Sequence, residues 1–234
     1  AFVDITIGNN MASMWYEDTR AGTFMLTASD SPTAPDGLTG IEDGTRELTV
    51  RHAQHASFHI EASAGGPIGM QTAGVPFGIR IKAVDAYGNT ASSFTGAVEI
   101  SSTSVMMSGG GTSINFSQGE LIREITMTSA GSNQKIMVAY QEFSAESNSF
   151  AVTHGPVHKF TMTEPHPHTA GGARTPITIY RYDAYDNLVI TGTQTVYLYS
   201  ESLIGSFYLN ESGGSPITSV QMSEFYFNEA DASV

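Results

Sequence analysis

The sequence predicts an all-β chain of tandem antiparallel β-sandwiches, and three observations carry that prediction. The chain repeats itself at a spacing of about 100 residues, which marks consecutive copies of one folding unit. Its apolar residues alternate with period two in short runs, and no stretch sustains a capped helical period. Short strands with turn signals every 8–12 residues suit a sandwich of about 100 residues. A parallel β-helix would repeat at a much shorter period, and a propeller blade at about half this length.

The repeat rests on two alignments. His52-Ala53-Gln54-His55-Ala56-Ser57-Phe58-His59-Ile60 matches His154-Gly155-Pro156-Val157-His158-Lys159-Phe160-Thr161-Met162, 102 residues later, and each follows a Val (Val50, Val152). Ile79 through Asn89 matches Ile177 through Asn187 at an offset of 98, and the same offset carries Val98-Glu99-Ile100 onto Val196-Tyr197-Leu198. A small loop deletion accounts for the difference. Met14-Trp15-Tyr16-Glu17-Asp18 resembles Phe225-Tyr226-Phe227-Asn228-Glu229. The expected units are therefore 1–53, the later half of a repeat; 54–154, a complete repeat; and 155–234, a repeat incomplete at its C-terminal end. The opening Ala1-Phe2-Val3-Asp4 has neither a basic start nor an apolar run, so no signal peptide is read there, and the chain reads as a piece of something longer.

The strands follow in order. Phe24 and Leu26 alternate in the first unit. In the second, Phe77, Ile79, Ile81 and Ala83 share one face, with Arg80, Lys82 and Val84 on the other; Val98 with Ile100, and Ile136 with Val138, repeat the pattern. Val, Ile, Thr, Tyr and Phe dominate these runs, as pleated half-buried surfaces prefer. Between them lie Gly-rich breakers at 64–67, 108–111, 129–132 and 212–216. Phe58, Phe77, Ile79, Ile81, Phe160 and Ile179 are the expected core.

Composition narrows the function. With 23 Asp+Glu against 10 Lys+Arg the net charge is −13, which repels phosphate backbones and argues against nucleic-acid binding. No segment approaches the roughly 18–20 apolar residues that cross a bilayer as a helix, so no membrane insertion is expected. The sequence has no cysteine, which removes disulfides, thiolate metal sites and cysteine nucleophiles together. Ser, Thr and Gly fill the polar positions, and only Lys82, Lys135 and Lys159 are lysines. This usage suits exported β-proteins.

The chemistry-bearing clusters are sparse. Asp85, Gly88 and Asn89 form a strand-ending turn repeated at Asp183, Asp186 and Asn187. An Asp ahead of an Asn can accept N–H groups that the sheet leaves unpaired, and Gly supplies positive φ. The same oxygens could collect calcium, although no calcium-loop motif is present. Asp186 replaces the glycine in the second copy, with some backbone strain expected. His166 and His168, with His158 and Glu164 nearby, are a weak transition-metal candidate, because alternate residues of an extended strand share a face. Trp15 and Tyr16, read as consecutive residues of a strand, should place at least one ring in a core and one outside, with a glycan platform as the alternative. His52, His55 and His59 with Asp43 or Glu47 make a triad only on paper, and no Gly-x-Ser-x-Gly elbow is present. Glu42/Asp43 and Glu17/Asp18 are read as solvated pairs. The triple glycine at 109–111 lacks the Lys-Ser/Thr of a phosphate loop.

The Asp85-Ala86-Tyr87-Gly88-Asn89 turn, followed by Phe94-Thr95-Gly96-Ala97-Val98, resembles the bacterial immunoglobulin-like repeats of large surface and adhesion proteins, including the invasin and intimin types. Met14 through Thr23 is similar to a late strand and turn of those repeats. The resemblance implies immunoglobulin-like sandwiches at an extracellular bacterial surface. Some Gram-positive surface repeats carry an intramolecular Lys–Asn cross-link, but Lys82 should face outward, away from the core such a bond needs. The expected function is a structural or adhesive module, a stalk or filament, and not an enzyme. Its expected partners are neighbouring repeats or copies of itself, joined head to tail by strand complementation between partial units. The alternative is a module that binds carbohydrate or a host protein.

Overall fold

The computed structural model describes residues 3–33, 35–104, 107–163, 174, 176–200 and 206–217. Among them there is no helix. The strands are β1 (Gly22–Ala28), β2 (Gly44–Val50), β3 (His55–Ala62), β4 (Gln71–Thr72), β5 (Phe77–Asp85), β6 (Glu99–Ser102), β7 (Met107–Ser108) and β8 (Gly111–Thr112). They continue as β9 (Glu120–Met127), β10 (Gly131–Gln134), β11 (Ile136–Tyr140), β12 (Phe143–Glu146), β13 (Phe150–Thr153), β14 (Lys159–Met162) and β15 (Ile179–Tyr182).

Residues 55–153 build two four-stranded sheets, in the orders β3-β5-β9-β7 and β12-β11-β6-β8, and a smaller sheet β10-β13-β4. One continuous core lies between them. Ile79, Ile81 and Ala83 of β5 are fully buried, as their period-two spacing requires, and meet Ile60 of β3, Leu121 and Ile125 of β9, Ile100 of β6 and Val138 of β11. At one end His55 is boxed by the rings of Phe58, Phe94 and Phe143 at 4.7–4.9 Å and by Tyr140 at 6.1 Å. On the outer face Glu61 is buried against Lys82, whose Nζ lies 2.6 Å from the carboxylate. That contact holds the Glu61 carboxyl below its ordinary range against the opposing cost of burial. Lys82 thus faces away from the core, as the alternation predicts.

Two hairpins flank this body. β1 pairs β2 from Gly22↔Val50 to Ala28↔Gly44, and β14 pairs β15 from Lys159↔Tyr182 to Met162↔Ile179. The core expected from sequence needs correction here. Phe160 is 42% exposed, and Ile179 and Phe77 are half-buried rather than sealed. Phe160 lies in a two-stranded ribbon, and a ribbon of two strands buries little on either face.

Candidate functional site

The residues that do most across the chain are the two turns singled out above. In the first, Asp85 ends β5 and is itself buried. Its Oδ1 accepts the amides of Tyr87 and Asn89, each at 2.9 Å, and its Oδ2 accepts the amide of Ala53 at 2.8 Å. The Asn89 side-chain amide also donates to Asp85 and to the carbonyl of Thr19 at 2.8 Å. In return, Asn89 Oδ1 accepts the amide of Ala21 at 2.9 Å. Burial alone would raise the Asp85 carboxyl, but the donors of Asn89, Ala53 and Tyr87 outweigh it and hold the group at about 2.

The second turn repeats this bond for bond. Asp183 accepts the amides of Tyr185 and Asn187 at 2.8 and 2.9 Å on Oδ1, and that of Gly155 at 2.8 Å on Oδ2. Asn187 donates to Asp183 and to the Thr128 carbonyl, and accepts the Ala130 amide at 2.7 Å. Asp183 is likewise held below its ordinary range, its burial outweighed by donors from Asn187, Gly155 and Tyr185. Each turn therefore ties three pieces of chain: its own strand end, the connector ahead of its own hairpin (Ala53 or Gly155), and the strand entry at Thr19–Ala21 or Thr128–Ala130. In both connectors a histidine Nδ1 lies at its neighbour's carbonyl, His52 at Ala53 and His154 at Gly155. With Nδ1–H donating, His154 Nε2 accepts the Thr191 hydroxyl at 2.9 Å.

Gly88 and Asp186 occupy equivalent left-handed positions, at φ 85° and 66°. The Asp186 carboxylate turns outward to Lys159 and takes no part in the bonding around Asp183. Three of the five turn residues proposed from sequence as oxygen ligands, Asp85, Asp183 and Asp186, thus spend their carboxylates on amides or a lysine.

The other candidates are placed differently. Trp15 is 94% and Tyr16 50% exposed, which corrects the expectation that at least one ring packs in a core. The Tyr16 hydroxyl donates to Asp18 at 2.6 Å, a contact within its own turn. His166, His168 and Glu164 lie outside the described residues. His55 is committed to the aromatic box and stands apart from Asp43. That residue instead joins Asp30 and Asp36, with ligand oxygens within 4.8 Å of one another. The loop supplies its own donors to this cluster, among them Gly37 to Asp43 and Ser29 to Asp36.

Sequence reasoning missed the bonds from Asn89 to Thr19 and Ala21 and from Asn187 to Thr128 and Ala130. The available signal was Thr-x-Ala-Gly, present at 19–22 and again at 128–131.

No family model matches the chain, and no curated protein matches it. Among solved structures it is similar to domains 1–6 of the surface-layer protein SbsC, at 17% identity and a TM-score of 0.31, over 82% of this chain and 24% of that one. It is also similar to FdeC, an Escherichia coli adhesin, at 18% identity and a TM-score of 0.40, over 71% of this chain and 55% of that one. A β-glucuronidase of Parabacteroides merdae matches at 11% identity and a TM-score of 0.33, over 46% of this chain and 15% of that one. The chain thus spans about a quarter of the surface-layer protein and about half of the adhesin.

Proposed function

We propose that the chain is a non-enzymatic structural module of an extracellular bacterial surface assembly, in which immunoglobulin-like sandwich repeats are locked end to end as a stiff spacer or stalk. The proposed repeats are 1–53, 54–154 and 155–234. The observation that carries the reading is the duplicated Asp–Asn turn, because its side chains bond the backbone of the repeat before it. Linked domains move relative to one another by default unless the interface holds them. Here Asn89 reaches Thr19 and Ala21, and Asn187 reaches Thr128 and Ala130. In this role the carboxylates hold amides, and calcium is not part of the joint. Small-angle scattering tests the reading. The chain should give an extended, narrow distance distribution that the double variant Asn89→Ala, Asn187→Ala broadens toward shorter distances. A profile unchanged by the double variant counts against a locked spacer.

Two further partners have specific support. Trp15, the single tryptophan, stands almost fully in solvent beside Tyr16, as a glycan-stacking platform or a host-protein contact would. Quenching or shifting of its fluorescence by a glycan array hit, lost in Trp15→Ala, is the expected outcome of that reading. Copies of the chain are the other partner. Ile7, Met11 and Met14 at one end and Tyr197, Tyr199 and Leu209 at the other expose apolar surface that head-to-tail strand completion would cover. Light scattering over a concentration series tests it, and a mass fixed at one chain at every concentration removes it.

A further inference from the structure

We infer that Tyr185 and Gly74 form a stop that fixes the angle between the middle and last repeats, so that the ring of one repeat seats on a glycine of the repeat before it. The inference rests on the reading of the chain as locked repeats and names the second contact that such a lock needs.

The Asp183–Asn187 turn holds the connector at Gly155 and the entry to β10 at Ala130. In the sheet β10-β13-β4, β13 runs directly into that connector, with β10 on one flank and β4 on the other. Bonds to the connector and to the β10 side alone leave rotation about β13 open. Gly74 lies on the remaining flank, in the turn that follows β4. That turn is held by its own backbone: the Gly74 amide donates to Met127 and the Ala73 amide to Thr153, each at 2.8 Å. Gly74 sits at φ 79°, and a Cβ built on it would lie 2.1 Å from Cε2 and 2.6 Å from Cζ and the hydroxyl oxygen of Tyr185. The ring therefore occupies the volume that any other residue at 74 would fill. Its root is fixed as well, since the Tyr185 amide donates to Asp183. Asn187 on one flank, the connector in the middle and Tyr185 on the other make a three-point support.

The equivalent ring at the preceding joint, Tyr87, is 63% exposed against 47% for Tyr185.

The chain has no cysteine, so Glu142→Cys and Thr193→Cys place a single pair of spin labels across the middle–last boundary. Double electron–electron resonance then reads the distance distribution. Tyr185→Ala should broaden it about twofold, toward the freedom of an unheld linker. Tyr185→Phe should keep it narrow, because the ring and not the hydroxyl makes the seat. Thermal melting by circular dichroism checks that both variants remain folded. A distribution unchanged in Tyr185→Ala but broadened in Asn187→Ala overturns the stop and leaves the lock standing. If neither variant broadens it, the stop and the lock fall together.

Discussion

A carboxylate at a strand end can satisfy amides that no neighbouring strand reaches, and Asp85 and Asp183 both do so for the chain that precedes them. Removing the asparagine beside each isolates its contribution. Asn187→Ala removes one donor to the Thr128 carbonyl and the acceptor of the exposed Ala130 amide, which should cost about 0.5–1.5 kcal/mol per bond. Hydrogen exchange should show protection falling at Ala130 while Val138 in the core is untouched. Asp85 and His55 mark two separate limbs of the acid response. The Asp85 carboxyl, held at about 2 against its ordinary 3.8, prefers the folded state when ionised. Its contribution is complete above 3.8 and disappears as the pH falls through the folded value. Burial among aromatic rings pushes the His55 imidazole below its ordinary 6.5, so the unfolded chain takes up the proton first. Stability should therefore begin to decline below 6.5. His55→Phe, which suits a box already made of Phe58, Phe94 and Phe143, should flatten that upper limb and leave the steep loss below 4 in place. Denaturant midpoints over a pH series separate the two limbs.

At the level of the strand, much was legible in advance because the side-chain period of a strand is two. Phe77, Ile79, Ile81 and Ala83 were assigned one face of β5, and the last three are sealed, while Lys82 on the opposite face meets Glu61. The same reasoning misplaced Phe160, and it expected one ring of Trp15 and Tyr16 in a core although neither residue lies in a strand. An aromatic in a strand predicts a buried face only if a second sheet covers it, and no local pattern reports whether one does. The turns were legible as hydrogen-bonding devices because Asp, Gly and Asn each advertise a backbone need. Their partners were marked only by the repeated Thr-x-Ala-Gly, since Thr19, Ala21, Thr128 and Ala130 contribute main-chain atoms that any residue possesses. The distinction between faces gives a direct test on β5 and β9. Ile81→Ala opens a cavity in the fully buried core and should cost about 2–5 kcal/mol. Ile122→Ala, on the solvent side of β9 opposite Arg80, should change stability by no more than about 0.5 kcal/mol. Equal losses at the two sites would mean that β9 is turned the other way.

Over the whole molecule the charge of −13 and the two Asp–Asn turns of the proposed spacer both favour extension, but over different ranges. Like charges along the chain repel and favour an extended arrangement, but that repulsion is screened beyond a Debye length of about 10 Å at 0.1 M salt. The joints are short-range and hydrogen-bonded, so they persist when the charge is screened. A stalk extended by repulsion alone would shorten as salt is added, whereas one held by Asp85–Asn89 and Asp183–Asn187 should keep its length. Calcium separates the remaining alternative. Many carboxylate turns between domains could draw their rigidity from an ion, but each lock carboxylate here already accepts three main-chain amides and a side-chain amide. A cation would have to displace those donors. Scattering profiles recorded with millimolar calcium and with a chelator should therefore superimpose, and so should profiles at low and high sodium chloride. A chain that lengthens on calcium addition, or compacts when salt is raised, would move the source of stiffness from the Asp–Asn bonds to an ion or to charge repulsion.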